Sequence, residues 1–252
     1  DGEDSCSLKN HEFADSLRRL AVVGRLRIAH ARRRSVVRFD RSNVSLHHDG
    51  SGLRISSGQR NDVERYNEQI SLLCNMEGAS FLRQAELDSA HVQGIYRVHP
   101  APESHHLERV AKRIKTIADV HQLDPAIWCW QRQGEPLGDY LERLPVGPQW
   151  DRIALAISRQ IRYTFQRSDF QPEPGPHFGV GAPAYCRFSS PMREIAGVFT
   201  HKEALEQLEE KVGDDGRDVI LRQEVIAAAN AAKITQSALQ KGVHKLALDA
   251  LF

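Results

Sequence analysis

The sequence predicts an α+β fold in which several helices pack around a small, mostly antiparallel sheet. Long segments with apolar residues at helical spacing predict the helices, at residues 11–34, 61–84, 104–121, 150–165 and 219–248. Short apolar segments bounded by turn-forming residues predict the strands, at residues 36–39, 44–46, 53–55 and 95–99. The 252 residues suffice for a sizeable core. Because no repeat or break in composition divides them, residues 1–252 are expected to form a single domain.

The first predicted helix is rich in arginine. Residues 1–10, which precede it, hold no periodic pattern and are expected to be a loop or a frayed end. The whole chain carries 34 basic and 33 acidic residues, so its net charge does not indicate a nucleic-acid ligand. Nine arginines nevertheless fall in one short segment: Arg18, Arg19, Arg25, Arg27, Arg32, Arg33, Arg34, Arg38 and Arg41. Such a run is usually a solvated helix face, but it could also attract a polyanion.

The short apolar segments after this helix are separated by residues that favour turns. Asn43 and the sequence Asp49-Gly50-Ser51-Gly52 indicate two or three short strands joined by tight turns. The next helix, over residues 61–84, has an apolar stripe along one side. That pattern is typical of a helix that packs against a core.

Residues 95–99 predict a strand that leads into a rigid turn at Pro100. Trp128 and Trp130 lie in an apolar run after the following helix. Tryptophan can stack on RNA bases, but a pair within an apolar run is more often part of the core, and we favour the core. Residues 168–176 are rich in proline and predict a loop.

The stretch from residue 177 to residue 202 is the most unusual of the chain, because a glycine-rich loop with aromatic residues runs straight into a helix start. Ser190 can act as the N-cap, and Pro191 suits the first helical position. Arg193 then falls in the first turn of a helix that continues to a stop at Gly213. Free backbone N–H groups and a guanidinium beside them suit a phosphate ligand. The alternative is a capped helix with an exposed arginine.

The cysteines and histidines do not form a recognisable metal site. Four cysteines lie far apart without metal-site spacing, which favours a reducing compartment. The pairs His47-His48 and His105-His106 are interpreted as surface residues, with a metal site as the alternative. No apolar run reaches the length of a membrane span, and the N-terminus does not resemble a signal peptide. A cytoplasmic protein is therefore expected.

Residues 177–202 and two upstream segments resemble the ribonuclease II (RNB) family. The shared signature consists of His177, Phe178, Gly179, Gly181, Tyr185, Phe188, Ser190, Pro191, Arg193 and His201. The resemblance runs from about residue 11 to the end of the chain and is strong at residues 64–82, 94–102 and 177–202. Family members are hydrolytic exoribonucleases that degrade single-stranded RNA from its 3′ end with magnesium. The resemblance therefore implies that activity, an RNB catalytic-domain fold, Mg²⁺ as the cofactor and single-stranded RNA as the partner, without DNA or a membrane.

The resemblance also implies roles for individual residues. Arg193 matches the arginine of the family's SPIR motif and is expected to be the catalytic cation that contacts the scissile phosphate. The expected RNA-binding residues are His177, Tyr185, Ser190, His201, Glu68 and Asn75. For Glu68 and Asn75 the alternative is a packing helix that carries a hydrogen-bonded asparagine.

Two departures from the family pattern bear on catalysis. The family's metal ligands come from an aspartate cluster near the start of its catalytic domain, and nothing here matches that cluster, so no metal ligand is assigned. The chain is therefore expected to be the C-terminal part of an RNB domain without the flanking oligonucleotide-binding barrels. Glu194 replaces a cation and places a negative charge beside the expected phosphate. Two functions stay open, namely an exoribonuclease and a catalytically degenerate RNB domain that acts as an RNA-binding or scaffold module.

Overall fold

The computed structural model describes residues 12–39, 43–48, 50, 53–58, 60–88, 91–210 and 215–251. These residues form eight α-helices, numbered in chain order: α1 (Ala14–Arg33), α2 (Asp62–Asp88), α3 (Ser104–Val120), α4 (Pro125–Trp128), α5 (Leu137–Glu142), α6 (Asp151–Arg162), α7 (Ile195–Leu208) and α8 (Asp215–Leu251). The helices predicted from apolar spacing are confirmed as α1, α2, α3, α6 and α8. No helix in this part of the chain is long and apolar enough to cross a membrane. The predictions for residues 1–10 and for Gly213 lie outside the described residues.

The described strands form two small antiparallel sheets. β1 (Asn43–His48) pairs with β2 (Leu53–Gly58), so that Asn43 lies opposite Gly58. β3 (Tyr96–Val98) pairs with β4 (Asp169–Gln171), so that Tyr96 lies opposite Gln171. A helix-rich fold with two small antiparallel sheets confirms the predicted α+β class.

Residues 36–39 are not a strand, which corrects the sequence prediction. The backbone N–H of Ser35 donates to Arg32 O at 2.8 Å and closes the end of α1. Ser35 itself has a left-handed conformation with φ 52°, where the chain changes direction. Val37 then packs among buried residues of the helices. The apolar side chains of this segment are therefore packed against helices, and the segment has no strand partner among the described residues.

The segment predicted as a loop over residues 168–176 contains β4, so that prediction is wrong for three of its residues. Phe170 is buried, and its backbone is held on a second side by Asn230 of α8. The Phe170 N–H donates to Asn230 Oδ1 at 2.9 Å, and Asn230 Nδ2 donates to Phe170 O at 3.0 Å. The asparagine side chain thus takes the place of another strand. Because both β3 and Asn230 are distant in sequence from β4, local composition does not reveal the strand.

The largest core lies between α3, α5 and α6. Its fully buried members include Ile114, Tyr140 and Ile157. Trp128 and Trp130 belong to the same cluster, which confirms that they are core residues. Burial of each large apolar side chain of this kind stabilises the fold by about 1.5–3 kcal/mol.

Two smaller cores support residues 177–202. One joins α2 to β3 through Leu82 and Tyr96, and it includes the fully buried Cys186. The other joins α7 to α8 through Phe199 and Val225. Residues 177–202 are thereby anchored to helices that are distant in sequence.

Candidate RNA-binding site

The segment over residues 177–194, which we call the signature loop, begins as extended chain beside β3. The backbone N–H of Phe178 donates to His99 O at 2.8 Å. Further along, the N–H of Arg97 donates to Tyr185 O at 2.7 Å. Strand-like hydrogen bonds therefore fix the backbone of the loop at two points.

Two buried histidines pack where the loop leaves β3. The rings of His99 and His177 lie edge to face with their centroids 5.0 Å apart, and the Gly179 N–H donates to His99 Nδ1 at 3.0 Å. Burial, reinforced by the nearby His99 and Arg97, lowers the pKa of His177 to about 3. Burial also lowers the pKa of His99. His177 is thus a neutral ring inside the protein, and its contact with RNA stays a prediction.

Asn75 of α2 holds the second half of the loop. Its side chain is 1% exposed, and its Nδ2 donates to Tyr185 Oη at 2.7 Å and to Ser189 Oγ at 3.0 Å. Its Oδ1 accepts the backbone N–H of Phe188 at 2.8 Å and that of Ser189 at 2.7 Å. An asparagine amide offers two donors and two lone pairs, and all four are used here.

The position of Asn75 explains how the loop keeps one shape. Its four partners all lie within residues 185–189, so one buried side chain defines the path of five residues. The Tyr185 hydroxyl is buried beside it. Direct RNA contacts of Asn75 and Tyr185 stay predictions, since in this structure their polar atoms bind other parts of the site.

The helix start predicted at Ser190 is a single 3₁₀ turn, Pro191–Arg193, followed by a break before α7. Ser190 has a left-handed conformation with φ 54°, and its side chain caps no backbone N–H. Its Oγ instead accepts a hydrogen bond from Arg193 Nη2 at 2.7 Å. The predicted N-cap of a long helix, with Arg193 in its first turn, is therefore wrong.

The physical reason is the close packing of this turn on α7. A Cβ placed on Gly197 would lie 2.8 Å from Pro191 Cα, so only glycine permits the approach. The turn folds back on the helix end and does not extend it. Arg193 stays exposed, and Ser190 orients its guanidinium while the other donors of the fork are left for a ligand.

His201 joins this site, whereas Glu68 has its partner elsewhere. His201 Nε2 lies 2.7 Å from Phe188 O, and the two rings are 5.2 Å apart. Glu68 Oε2 accepts from Arg60 Nη1 at 2.9 Å, and it precedes Asn75 by about 10 Å along α2 at the helical rise. The structure thus gathers His201, Asn75 and the loop, and RNA binding by Glu68 stays a prediction.

Two side chains of the loop, Ser189 and Arg187, make contacts that were not predicted from the sequence. Ser189 is bound by Asn75 through both its backbone and its hydroxyl. Arg187 forms an ion pair with Glu194, with Nε and Oε2 3.2 Å apart. No periodicity exists in an irregular loop, so only the three-dimensional path could reveal these pairs.

One acidic cluster lies between α7 and α8. The carboxylates of Glu203, Glu206 and Asp218 have oxygen atoms within 4.8 Å of one another, and within the described part of the chain this is the one such group of potential metal ligands. Three carboxylates are a donor set that a divalent cation accepts. By its ligand atoms alone, the cluster is a candidate for a metal site.

The ammonium group of Lys202 already contacts all three carboxylates of this cluster. Its Nζ lies 3.0 Å from Glu203 Oε1, 2.8 Å from Glu206 Oε2 and 2.9 Å from Asp218 Oδ2. Burial disfavours the ammonium, but hydrogen bonds to the three carboxylates outweigh burial and raise the pKa of Lys202. Because a lysine supplies the positive charge in the middle of the cluster, these residues do not fit a metal ion as they stand.

Comparisons with known proteins agree on one family. Residues 3–210 match the RNB domain. Exoribonuclease 2 of Klebsiella pneumoniae subsp. pneumoniae is 29% identical over 153 residues, which are 61% of this chain and 21% of that protein. Mycoplasma genitalium RNase R, solved in complex with ribose methylated single-stranded RNA, aligns with a TM-score of 0.77 and 16% identity over 96% of this chain and 37% of that one. Yeast Ssd1, a pseudonuclease, aligns with a TM-score of 0.52 and 15% identity over 69% of this chain and 20% of that one.

The matches cover most of this chain but only part of each relative. The chain spans about a fifth of the length of the curated relatives it matches. The similarity to RNase R establishes the fold, and the domain match covers most of the sequence, including the whole signature loop. This chain belongs to the RNB domain family.

Proposed function

We propose that this chain binds single-stranded RNA and contributes to its hydrolysis from the 3′ end as part of a ribonuclease II-like protein. The observation that carries the proposal is the signature loop, whose backbone Asn75 holds at Phe188 and Ser189 immediately before the exposed Arg193. Membership of the RNB family and relatives named as exoribonucleases support the chemistry.

In this proposal Arg193 is the cation at the scissile phosphate. Its planar fork can donate to two phosphate oxygens at once. Charge that develops on the phosphate during hydrolysis is then stabilised by a group that is already oriented through Ser190. The remaining predicted RNA-binding residues would act through the loop: Asn75, Tyr185, His177 and His201 hold its backbone or pack against it.

The family is generally metal-dependent, and a bound Mg²⁺ ion would polarise the phosphate and activate water. The cluster around Lys202 does not fit that ion, because the Lys202 ammonium already contacts its three carboxylates. We therefore place the magnesium ligands outside the described residues.

A catalytically degenerate RNA-binding or scaffold module is the second candidate. Two observations favour it: Lys202 occupies the one acidic cluster found among the described residues, and Glu194 brings a negative charge next to Arg193 in the sequence. In that case the loop would bind RNA without cleaving it.

A time course with 5′-labelled single-stranded RNA separates these candidates. The chain is incubated with the RNA in Mg²⁺ and in a chelator, and binding is followed in parallel with a single-stranded DNA of the same sequence. Fragments that shorten from the 3′ end only with Mg²⁺ support the enzyme. Bound but intact RNA leaves a channel without its metal site, and the assay is then repeated with the family's aspartate segment added back. Cleavage that appears with this segment supports the enzyme, RNA that stays intact supports the module, and absence of binding to RNA contradicts both.

A further inference from the structure

The ion pair between Arg187 and Glu194 lies within the signature loop and is partly open to solvent. The side chains are 21% and 35% exposed, and Glu194 directly follows Arg193. The backbone of Arg187 and the turn that carries Arg193 pack on the same glycine, since a Cβ on Gly197 would lie 3.2 Å from Arg187 O and 2.8 Å from Pro191 Cα. The ion pair therefore belongs to the part of the loop in which Arg193 is proposed to hold the phosphate.

The contact between the two charges is a poor hydrogen bond. Arg187 Nε and Glu194 Oε2 are 3.2 Å apart, yet both atoms are buried and neither has a hydrogen-bond partner of acceptable geometry among the described residues. Buried polar atoms of folded proteins are nearly always paired. An arginine fork that is near an anion but not aligned with it has donors left for a better acceptor.

The geometry points to Arg187 as a second phosphate-binding cation of the signature loop, with Glu194 as the internal anion that a phosphate group of RNA replaces. This inference rests on the proposed RNA binding. A phosphate offers the tetrahedral oxygens that a guanidinium binds in a bidentate manner. The Glu194 carboxylate lies within ion-pair distance of Arg187 Nε, but it is not aligned for a hydrogen bond with that atom. Glu194 therefore lowers the affinity for RNA because it occupies Arg187.

The charge-neutral variant Glu194→Gln tests the assignment, because it keeps the size of the side chain. Binding of a fluorescein-labelled single-stranded RNA is measured by anisotropy at several salt concentrations for the full chain. We expect Glu194→Gln to bind roughly tenfold more tightly, the factor of one added charged contact. The slope of log K against log salt should steepen by about 0.7, as expected for one more phosphate on a single strand. Glu224→Gln, which removes an exposed charge from α8, serves as the matched control.

The double variant Arg187→Gln/Glu194→Gln distinguishes release of Arg187 from simple relief of repulsion. If phosphate binds Arg187, the gain from Glu194→Gln disappears in the Arg187→Gln background. A gain that persists there overturns the assignment, since Glu194 would then act only by repelling RNA. Unchanged affinity in Glu194→Gln, with measurable binding by the parent chain, overturns it as well and leaves the proposed function standing. If the parent chain binds no RNA, the proposed function and the assignment of Arg187 both fail. If Glu194→Gln loses cooperative unfolding, the ion pair is structural and the assignment is overturned.

Discussion

Asn75 donates a hydrogen bond to the hydroxyl of Tyr185 at 2.7 Å, although the two residues are 110 positions apart in the sequence. Tyr185 packs against the ring of His177, with the centroids 5.0 Å apart. Helix α2 thus fixes the second half of the signature loop through one buried amide, and Tyr185 connects it to His177 at the start of the loop. The proposed RNA-binding function depends on this contact, because Arg193 is placed by the same loop.

Replacement of Asn75 by alanine should destabilise the protein and weaken RNA binding together. The N–H groups of Phe188 and Ser189 would lose their buried acceptor, so we expect the free energy of unfolding to fall by about 2–4 kcal/mol. Urea unfolding measures the first effect and anisotropy the second. Asn67→Ala, at an exposed position of the same helix, should change stability by less than about 0.5 kcal/mol. Equal stability of the two variants would refute the role given to Asn75.

Helices and their buried sides could be predicted from the sequence because their signal is local. Apolar spacing located α2 and α3, and the apolar run around Trp128 and Trp130 correctly indicated core. The identity of Asn75 as a special residue came from the family resemblance. Its four partners could not be predicted, because they depend on a loop far away in sequence.

The predictions that failed share a cause, which is a partner outside the local window. Ser190 and Pro191 satisfy the local rules for a helix start, but packing of Pro191 on Gly197 turns the chain before the helix begins. Phe170 forms a strand within a proline-rich segment because β4 pairs with β3, and Asn230 binds its backbone on the other side. The ion pairs of Lys202, for which no prediction was made, have a similar cause, because they require α7 and α8 to meet.

The protein should lose stability in mild acid because of His177. The pKa of His177 is lowered to about 3 in the folded protein, whereas the unfolded value is about 6.5. Between these values the unfolded chain binds more protons, so stability is complete above about pH 6.5 and falls as the pH drops towards 3. The slope should approach about 1.4 kcal/mol per pH unit.

Urea unfolding at pH 7.5, 6.0 and 5.0 measures this slope. His177→Gln should flatten it, and His30→Gln, at an exposed position of α1, should leave it unchanged. A parent protein whose stability does not vary over this range would show that His177 is not held neutral by burial.

Lys202→Met should be strongly destabilising, because Glu203 and Asp218 would become buried charges without a cation. Loss of one partner from a fully buried pair typically costs about 3–5 kcal/mol; because the Lys202 side chain is 34% exposed, solvent screens part of the lost attraction, and we expect about 2–3 kcal/mol. Unpaired buried carboxylates have a raised pKa, so the folded variant binds protons more readily than the unfolded chain. Its deficit should therefore shrink as the pH falls from 8 to 5.

Thermal and urea unfolding of Lys202→Met and of Lys112→Met, which is exposed on α3, would measure the difference. Similar stabilities of these two variants would mean that Lys202 does not hold the cluster. A deficit that grows on acidification would contradict the proposed source of the destabilisation.

The most direct test of the RNA-binding site compares Arg193→Ala with Arg109→Ala, which removes an exposed arginine from α3. Anisotropy with labelled single-stranded RNA gives the affinity, and thermal unfolding gives the stability of each variant. We predict that Arg193→Ala binds RNA at least roughly tenfold more weakly, the effect of one charged hydrogen bond, with an unchanged melting temperature. Equal affinities of the two variants, or a weaker affinity explained by a lower melting temperature of Arg193→Ala, would contradict the placement of RNA at the signature loop.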